Sequence, residues 1–507
     1  MQFGREEIFT DYPEINELNI AEVMRLAMPI HEKNASKIDF LLNYEAGCQP
    51  LIRKEPKKYR PDIDCQCVDN IANEITEFKL SFNWGNQITL VMREKPDADT
   101  KDIAEAVSLL NKCYDSENGK SKQQKLARFV EIGGVGYTYL DVNTDYEEGE
   151  SPFLVDVLDP RCTFLVKSSY YLDNRPIMAV TYYCDNNGNK KYTCFTKDSR
   201  YELDSTYEHL LRSGETNPFG IIPVIEWIRS YDRMGCFERQ ISEMNNLNLL
   251  VSDFTNDVEQ NTQAIWHGND VDFPTKITQN EDGTQTEEVV KPKGNDWMLT
   301  YTSQDGKTPT VKPLAIDYDY PGMLSNIISR RALILQKCNV PSRNDNSGGS
   351  TGIAMSDATG WTQAETEATR QDQIKDGCKI AEVKVALKVL AKCSGLPMDS
   401  PLRKLRHSDV KASIKRQKTY EMTTKINAYA TGVSHGINYE DMLNAINLFD
   451  DPQQVAENSR ETTKAYLDSV FKTKESEPVG GVDEKAPNAD RLEQDKSDQQ
   501  ENSPMMN

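Results

Sequence analysis

Three things are scarce in this chain of 507 residues: positive charge, long apolar runs and paired metal ligands. Lys and Arg number 59 against 80 Asp and Glu, a formal charge of −21. A protein that holds nucleic acid by bulk charge needs a basic surface, so that class is excluded. No apolar run approaches the ~18–20 residues of a spanning helix, which removes the membrane as a partner. The opening MQFGREEIFTDYPEINE has neither the basic region nor the apolar core of a secretory signal. The 11 cysteines are scattered from Cys48 to Cys393, and only Cys65 and Cys67 lie close together. None forms the CxxC-type or His-bearing sets of common metal sites, so the sequence predicts reduced thiols in a cytosolic setting and no cofactor. What is present is 37% apolar residues with 22 Tyr, 15 Phe and 5 Trp, too aromatic for a disordered chain. At ~100–200 residues per domain, the length suggests about two to four domains.

Enzyme signatures are missing as well. Asn118-Gly119-Lys120-Ser121 ends like a phosphate loop, but Tyr114 stands where the first glycine belongs and no apolar strand leads in. The stretch reads as an exposed loop between two helices. Gly133-Gly134-Val135-Gly136 lacks dinucleotide spacing and runs into a strand-like segment over 137–142, so its glycines point to backbone packing. There is no GxSxG and no HExxH. His31, His209, His267, His407 and His435 are far apart, and each reads as a surface residue. No catalytic centre is expected.

The pattern is α+β. Helical spacing marks about 35–47, 66–79, 102–113 and 122–132, and a Trp84-Gly85-Asn86 turn leads to a strand at 88–92. From 135 to 229 strand signals dominate, with a hairpin turn at Asp185–Asn189. From Phe237 to Val258 the residues Ile241, Met244, Leu247, Val251 and Phe254 continue a stripe at steps of 3 and 4. A helix over 235–264 follows, its other sides rich in Asn and Asp. Periodicity alone fits an ordinary core helix with a solvated face equally well.

Residues 266–318 are polar and turn-rich with short strand-like pieces at 288–290 and 297–301. A helix at 321–339 carries Leu324, Ile328, Leu335 and Cys338 on one side and Asn326, Arg330 and Lys337 on another. Two helices flanking a small β insertion make an outgoing and returning stalk. Residues 340–360 are loop by composition, and a helix at about 361–394 contains a questionable Gly377. A strand at 410–414 and helices at 419–431, ending at Gly432, at 438–448 and at 452–471 precede an acidic tail over 472–507, expected to be disordered.

In this order the parts resemble portal proteins of tailed double-stranded DNA phages, of the long-tailed kind that infects Gram-positive bacteria. The resemblance rests on the 38–47 helix with Ile52-Arg53, on Val68-Asp69-Asn70-Ile71 with Phe82–Asn86, and on Gly134-Val135-Gly136-Tyr137. Its strongest run is Asn217–Glu226, followed by Asn246, Asn248, Ser252, Asp253 and Asn256 on the long helix. Gly352-Ile353-Ala354-Met355 and Gly436-Ile437 complete it over roughly residues 30–465.

That resemblance implies a ring of about twelve subunits at one capsid vertex, assembled in the host cytoplasm. The portal fold would have a wing (1–234 and 361–404), stem helices (235–264 and 321–339), a β-rich clip (265–320), a channel loop (340–360) and a helical crown (405–471). Double-stranded DNA would pass through in packaging and ejection. The implied partners are the terminase large subunit, a head-completion adaptor, and the major capsid and scaffolding proteins. Arg330, Lys337 and Arg343, with Asn344, Asn346 and Ser347, would face the channel; the three cations read equally well as solvated stem residues, and the loop's alternative reading is a plain surface connector. Asp270, Asp272, Glu281, Asp282, Glu287 and Glu288 would edge the clip for docking; for each, a merely solvated acid is an equal reading. An acidic wall would let a polyanion slide rather than stick. The competing readings are a translocase or nuclease, which needs a phosphate loop or metal-carboxylate cluster, and another capsid-associated adaptor.

Overall fold

The computed structural model describes residues 4–50, 63–93, 100–147, 149–170, 174–209, 214–262, 266–269, 275–279, 285–289, 310–313, 319–341, 360–416, 422–438, 442, 443, 446 and 459. The chain divides into two compact units, 1–417 and 418–507.

Helix α1 spans Ile20–Glu45, beginning well before the expected residue 35. Ile20, Val23, Met24, Ala27 and Met28 already form the apolar stripe, and all are buried. Pro29 interrupts the hydrogen bonding on the exposed side of α1 only, so the buried stripe continues past it to Ile38 and Leu41. His31 corrects the surface reading of the histidines. It is 1% exposed, stacked on Phe164 at 4.4 Å, with Nε2 3.0 Å from the Arg161 carbonyl. Burial lowers its pKa to about 4.

Strand β1 (Ile8–Thr10) pairs in parallel with β5 (Thr163–Ser168). It opens a six-stranded sheet that continues through β6 (Pro176–Cys184), β7 (Lys190–Thr196), β8 (Ser199–Leu203) and β9 (Glu215–Thr216). The Asp185 turn joins β6 to β7 as the sequence predicts, its carboxylate accepting from the amides of Asn187 and Asn189. The first half of α1 covers this sheet, closing a core of Ile20, Met24, Met28, Phe164, Val180 and Cys194.

The second helix, α2, spans Ile71–Trp84 rather than 66–79. Trp84 is therefore helical and not the start of a turn. It is buried, and its indole donates to Glu131 at 2.9 Å. Residues 63–69 lie outside helix and strand, and the alternate amides of Cys65, Cys67 and Asp69 turn to one side as in an extended chain. Helices α3 (Thr100–Ser116) and α4 (Gly119–Gly133) meet at Asn118, whose φ of 56° makes the junction. The phosphate-loop look-alike is thus an interhelical corner. A φ of 77° ends α4 at Gly134, where a Cβ would come within 2.5 Å of the Arg233 carbonyl. That confirms the packing role of the glycine run.

Beyond Gly134, β3 (Val135–Val142) sits between β4 (Phe153–Leu158) and β10 (Val224–Ile228) in an antiparallel sheet. Against it packs α7 (Trp361–Leu390), thirty residues unbroken at Gly377. Its buried polar residues are matched one by one. Lys375 donates to the Asn83 carbonyl at 2.9 Å and lies 4.1 Å from the Trp84 ring. Lys379 pairs with Glu382 at 2.6 Å over the Tyr114 ring. After the short α8 (Pro401–Lys404), β15 (Val410–Ser413) pairs with β2 (Thr89–Met92). Residues 405–416, grouped with the crown in the sequence reading, thus belong to the first compact unit.

In the second unit, α9 runs Met422–Ser434 and passes through Gly432 instead of ending there. Gly432 faces Met442, where a Cβ would come within 2.3 Å of the methyl group. The helix ends at Gly436 with φ 86°, and the Ile437 amide donates back to the Gly432 carbonyl at 3.1 Å. The segments 438–448 and 452–471 lie almost wholly outside the described residues, and the 472–507 tail entirely so.

Candidate functional site

The stripe from Phe237 to Val258 forms α5, Ile241–Thr262, preceded by one turn of 3₁₀ helix at Glu238–Gln240. Helix α6 spans Tyr320–Lys337, and Asp319 caps it by accepting from the Gly322 amide at 3.0 Å. The two run antiparallel. Lys337 at the end of α6 is 3.7 Å from Glu243 near the start of α5, and Tyr320 meets Phe254 edge-on at 5.9 Å.

Packing fades along the pair. Near the root, Phe237, Ile241, Met244 and Leu247 bury against α1 and α2, joined by Ile334 and Cys338 of α6. Further out, Val258, Leu324 and Ile328 are exposed, Ile328 to 59%, and nearer the root Leu333 is exposed on the outer side of α6. The side expected from Leu324, Ile328, Leu335 and Cys338 is therefore split. The buried line of α6 is Ile327, Ile334 and Cys338, and Leu324 and Ile328 face away from it.

The root is fixed from beneath. Arg5 forms a buried ion pair with Glu238, whose carboxylate also accepts from the amides of Gly4 and Gly235 at 2.9 Å. The polar side of α5 is the larger surprise, because one line of it is not solvated. Asn248, Ser252 and Asn256 recur every four residues and are buried. They accept from the amides of Asp69 at 2.9 Å, Cys67 at 2.9 Å and Cys65 at 2.7 Å. Asn256 also donates to the Cys65 carbonyl at 3.1 Å. Four helical residues rise ~6.0 Å and two extended residues ~6.6 Å, so helix side chains meet every second amide of the 63–69 segment. The α5 face acts as a strand partner.

Helix α6 is tied in by Arg331, a cation the sequence reading passed over. It reaches Asp69 at 3.0 Å and Glu74 at 2.6 Å. At the end of α6, Asn339 (φ 53°) enters a buried charge network. Its amide donates to Glu367 of α7 at 3.1 Å; Lys79 binds the same carboxylate at 2.5 Å, and Arg229 pairs with it too. Arg229 also contacts Glu131 at 2.9 Å. Burial pushes the Glu367 carboxyl up, yet Lys79 and Arg229 hold it below its ordinary value. The network pins the end of α6 to the start of α7. A Cβ on Gly360 would lie 3.8 Å from the Pro341 Cα, so the chain leaves and returns at one place around residues 342–359.

Between α5 and α6 the described residues form two two-stranded antiparallel sheets. Strand β11 (Trp266–Asn269) pairs with β14 (Thr310–Pro313), and β12 (Thr275–Gln279) with β13 (Gln285–Val289). Every residue of β12 is exposed. A lone two-stranded hairpin is marginal in water, so this one calls for covering.

The residues singled out from sequence distribute as follows. Arg330 is exposed on α6, its Nε donating to Asn326 at 3.1 Å. Lys337 is half-exposed beside Glu243. Glu287 is exposed on β13, and Glu288 stands opposite Lys276 in register. Arg343, Asn344, Asn346 and Ser347, and also Asp270, Asp272, Glu281 and Asp282, lie outside the described residues. Among the described residues no cluster of three or more His, Cys, Asp or Glu could hold a metal, and no helix is long and apolar enough to cross a membrane.

Comparison with known families accounts for these surfaces. The chain belongs to the family described as phage portal protein, SPP1 Gp6-like, whose profile matches residues 28–457. No curated protein matches it. Membership makes the chain a structural bacteriophage protein of the virion capsid, built as an oligomeric ring with DNA and serving genome packaging.

Proposed function

We propose that about twelve copies of this portal-family chain close into a ring at one capsid vertex, and that double-stranded DNA enters and leaves through its bore. One observation carries the reading. The α5–α6 pair is anchored at its root, but Leu324, Ile328, Leu333 and Val258 are exposed along its length and β12 is exposed throughout. Neighbouring copies in a closed ring cover such surfaces. Helices 235–264 and 321–339 then form the stem, 265–320 the clip, 340–360 the channel loop, and the first unit most of the wing.

Charge fits the same role. Duplex DNA carries one negative charge per ~1.7 Å, and tight binding comes from neutralising it. Copies at −21 each make walls that do not grip. Arg330, Lys337 and Arg343 form thin rings of positive charge, and Asn344, Asn346 and Ser347 make weak contacts that break easily. The clip, with Asp270, Asp272, Glu281, Asp282, Glu287 and Glu288, docks the terminase large subunit and later a head-completion protein. ATP hydrolysis belongs to that terminase partner, since residues 118–121 form an interhelical corner and not a phosphate loop. The wing meets the major capsid and scaffolding proteins during assembly in the host cytoplasm.

Negative-stain microscopy and mass photometry of the purified chain test this. Rings with a central hole and a mass near twelve copies are expected. A monomer in solution and in particles, or ATP hydrolysis by the chain alone, overturns it. The double variant Arg330→Gln/Lys337→Gln is expected to keep the ring and to change DNA retention; unchanged packaging and retention remove the cation rings.

A further inference from the structure

The 63–69 segment holds a pair of groups that neither the fold nor the proposed conduit uses. Side chains two apart on an extended segment share a side, which brings Cys65 and Cys67 together. Their Sγ atoms are 3.6 Å apart, at van der Waals contact, and Thr255 Oγ1 lies 3.7 Å from the Cys67 sulfur. Cys65 is exposed and Cys67 half-buried. The contact is not incidental, because both backbones are clamped. Asn256 holds the amide and carbonyl of Cys65, and Ser252 the amide of Cys67 at 2.9 Å. Two extended residues span ~6.6 Å between Cα atoms, inside the upper end of the ~4.4–6.8 Å that a disulfide bridges.

We propose that Cys65 and Cys67 are a redox-closable dithiol, converted to an intrachain disulfide by a small-molecule disulfide such as oxidised glutathione. The exposed Cys65 thiolate attacks one glutathione sulfur, forming a mixed disulfide and releasing one glutathione thiolate. The Cys67 thiolate then attacks the Cys65 sulfur and releases the second. The protein loses two electrons, one glutathione disulfide becomes two glutathiones, and the two thiol protons pass to them. Hydrogen bonding to Cys67 and the nearby Glu259 and Asp64 carboxylates raise the Cys65 pKa, so closure is slow at neutral pH and speeds as pH rises.

Closure draws the two residues together and shifts the amides that Ser252 and Asn256 hold, so it reports directly on how α5 is seated. Its biological setting rests on the function proposed above: a chain folded in a reducing cytoplasm meets oxidants once it leaves the cell in a particle. The chemistry does not rest on that reading, and thiol counting is independent of ring microscopy.

The test treats the full-length chain with oxidised glutathione at pH 8, traps free thiols with N-ethylmaleimide, and maps peptides by mass spectrometry. The expected result is loss of two alkylatable thiols of the eleven, both on the peptide carrying Cys65 and Cys67, restored by dithiothreitol. Cys65→Ser and Cys67→Ser are each expected to hold a single glutathione adduct instead. The Cys65→Ser/Cys67→Ser double variant melts like the parent, which separates closure from folding. Full alkylation of both residues after treatment overturns the proposal, as does pairing of either with another cysteine or another chain.

Discussion

Within the first compact unit, the interior around α2, α4 and α7 and the outer half of the α5–α6 pair treat exposed chemistry in opposite ways. Around Glu131, Arg229, Glu367 and Lys79, buried charges meet opposite charges inside one chain. Along the outer half of α5 and α6, apolar side chains and hairpin edges are left without intrachain cover. A region that closes on itself sets the stability of the chain. A region left open sets what the chain joins. The difference predicts that substitutions in the two places separate folding from assembly.

The largest effect is expected at Glu131→Ala. It leaves the Trp84 indole unsatisfied in the core and Arg229 with Glu367 as its remaining carboxylate, and removing one partner of a buried pair costs up to about 3–5 kcal/mol. Melting should fall before assembly can be measured, and an unchanged melting point would break the comparison. His31 comes next. Its native pKa of about 4 lies below the unfolded 6.5, so its contribution is present above pH 6.5 and is lost as pH falls toward 4, roughly 3 kcal/mol in all. Denaturant melts across that window should show the slope, and His31→Gln should flatten it. A variant with the same slope assigns the acid sensitivity elsewhere.

At the border between the regions, Asn256→Ala leaves the Cys65 amide without its partner, at about 1–3 kcal/mol. Hydrogen exchange at residue 65 should rise sharply, and continued protection would show that α5 does not hold the segment. The smallest effect on the chain itself is expected at Leu324→Ser/Ile328→Ser, within about 0.5 kcal/mol because both are exposed. The same variant should abolish rings in mass photometry. Intact rings would mean that the open face is not the one neighbours cover.

Much of this architecture is legible along the chain because it is periodic. The stripe from Phe237 to Leu247 is buried as its spacing requires, and the strand-rich stretch from 135 to 229 is eight strands of two sheets. The placing of residues 118–121 between two helices holds for a local reason, the left-handed Asn118, but the expected loop is that single corner, since residues 119–121 already belong to α4. Boundaries are less legible: α1 begins at Ile20, ahead of the expected 35, and the helix that Gly432 is expected to stop continues, with Gly436 ending it. Of the stalk's fastenings, the four-residue recurrence of Asn248, Ser252 and Asn256 is the available signal, and of the three the solvated-face reading covers only Asn256. Arg331 and Glu367 carried no signal, since their partners stand hundreds of residues away.

By itself the sequence determined the alternation of helix and strand, the acidic balance and the lack of a phosphate loop, because each depends on residue type and near-neighbour spacing. Only the tertiary structure decided which polar faces are interior. Periodicity says that a helix has a polar side, but an amide or carboxylate is buried only where a partner arrives to satisfy it. Such partners, the 65–69 amides for α5 and Arg229 for Glu131, come from remote parts of the chain.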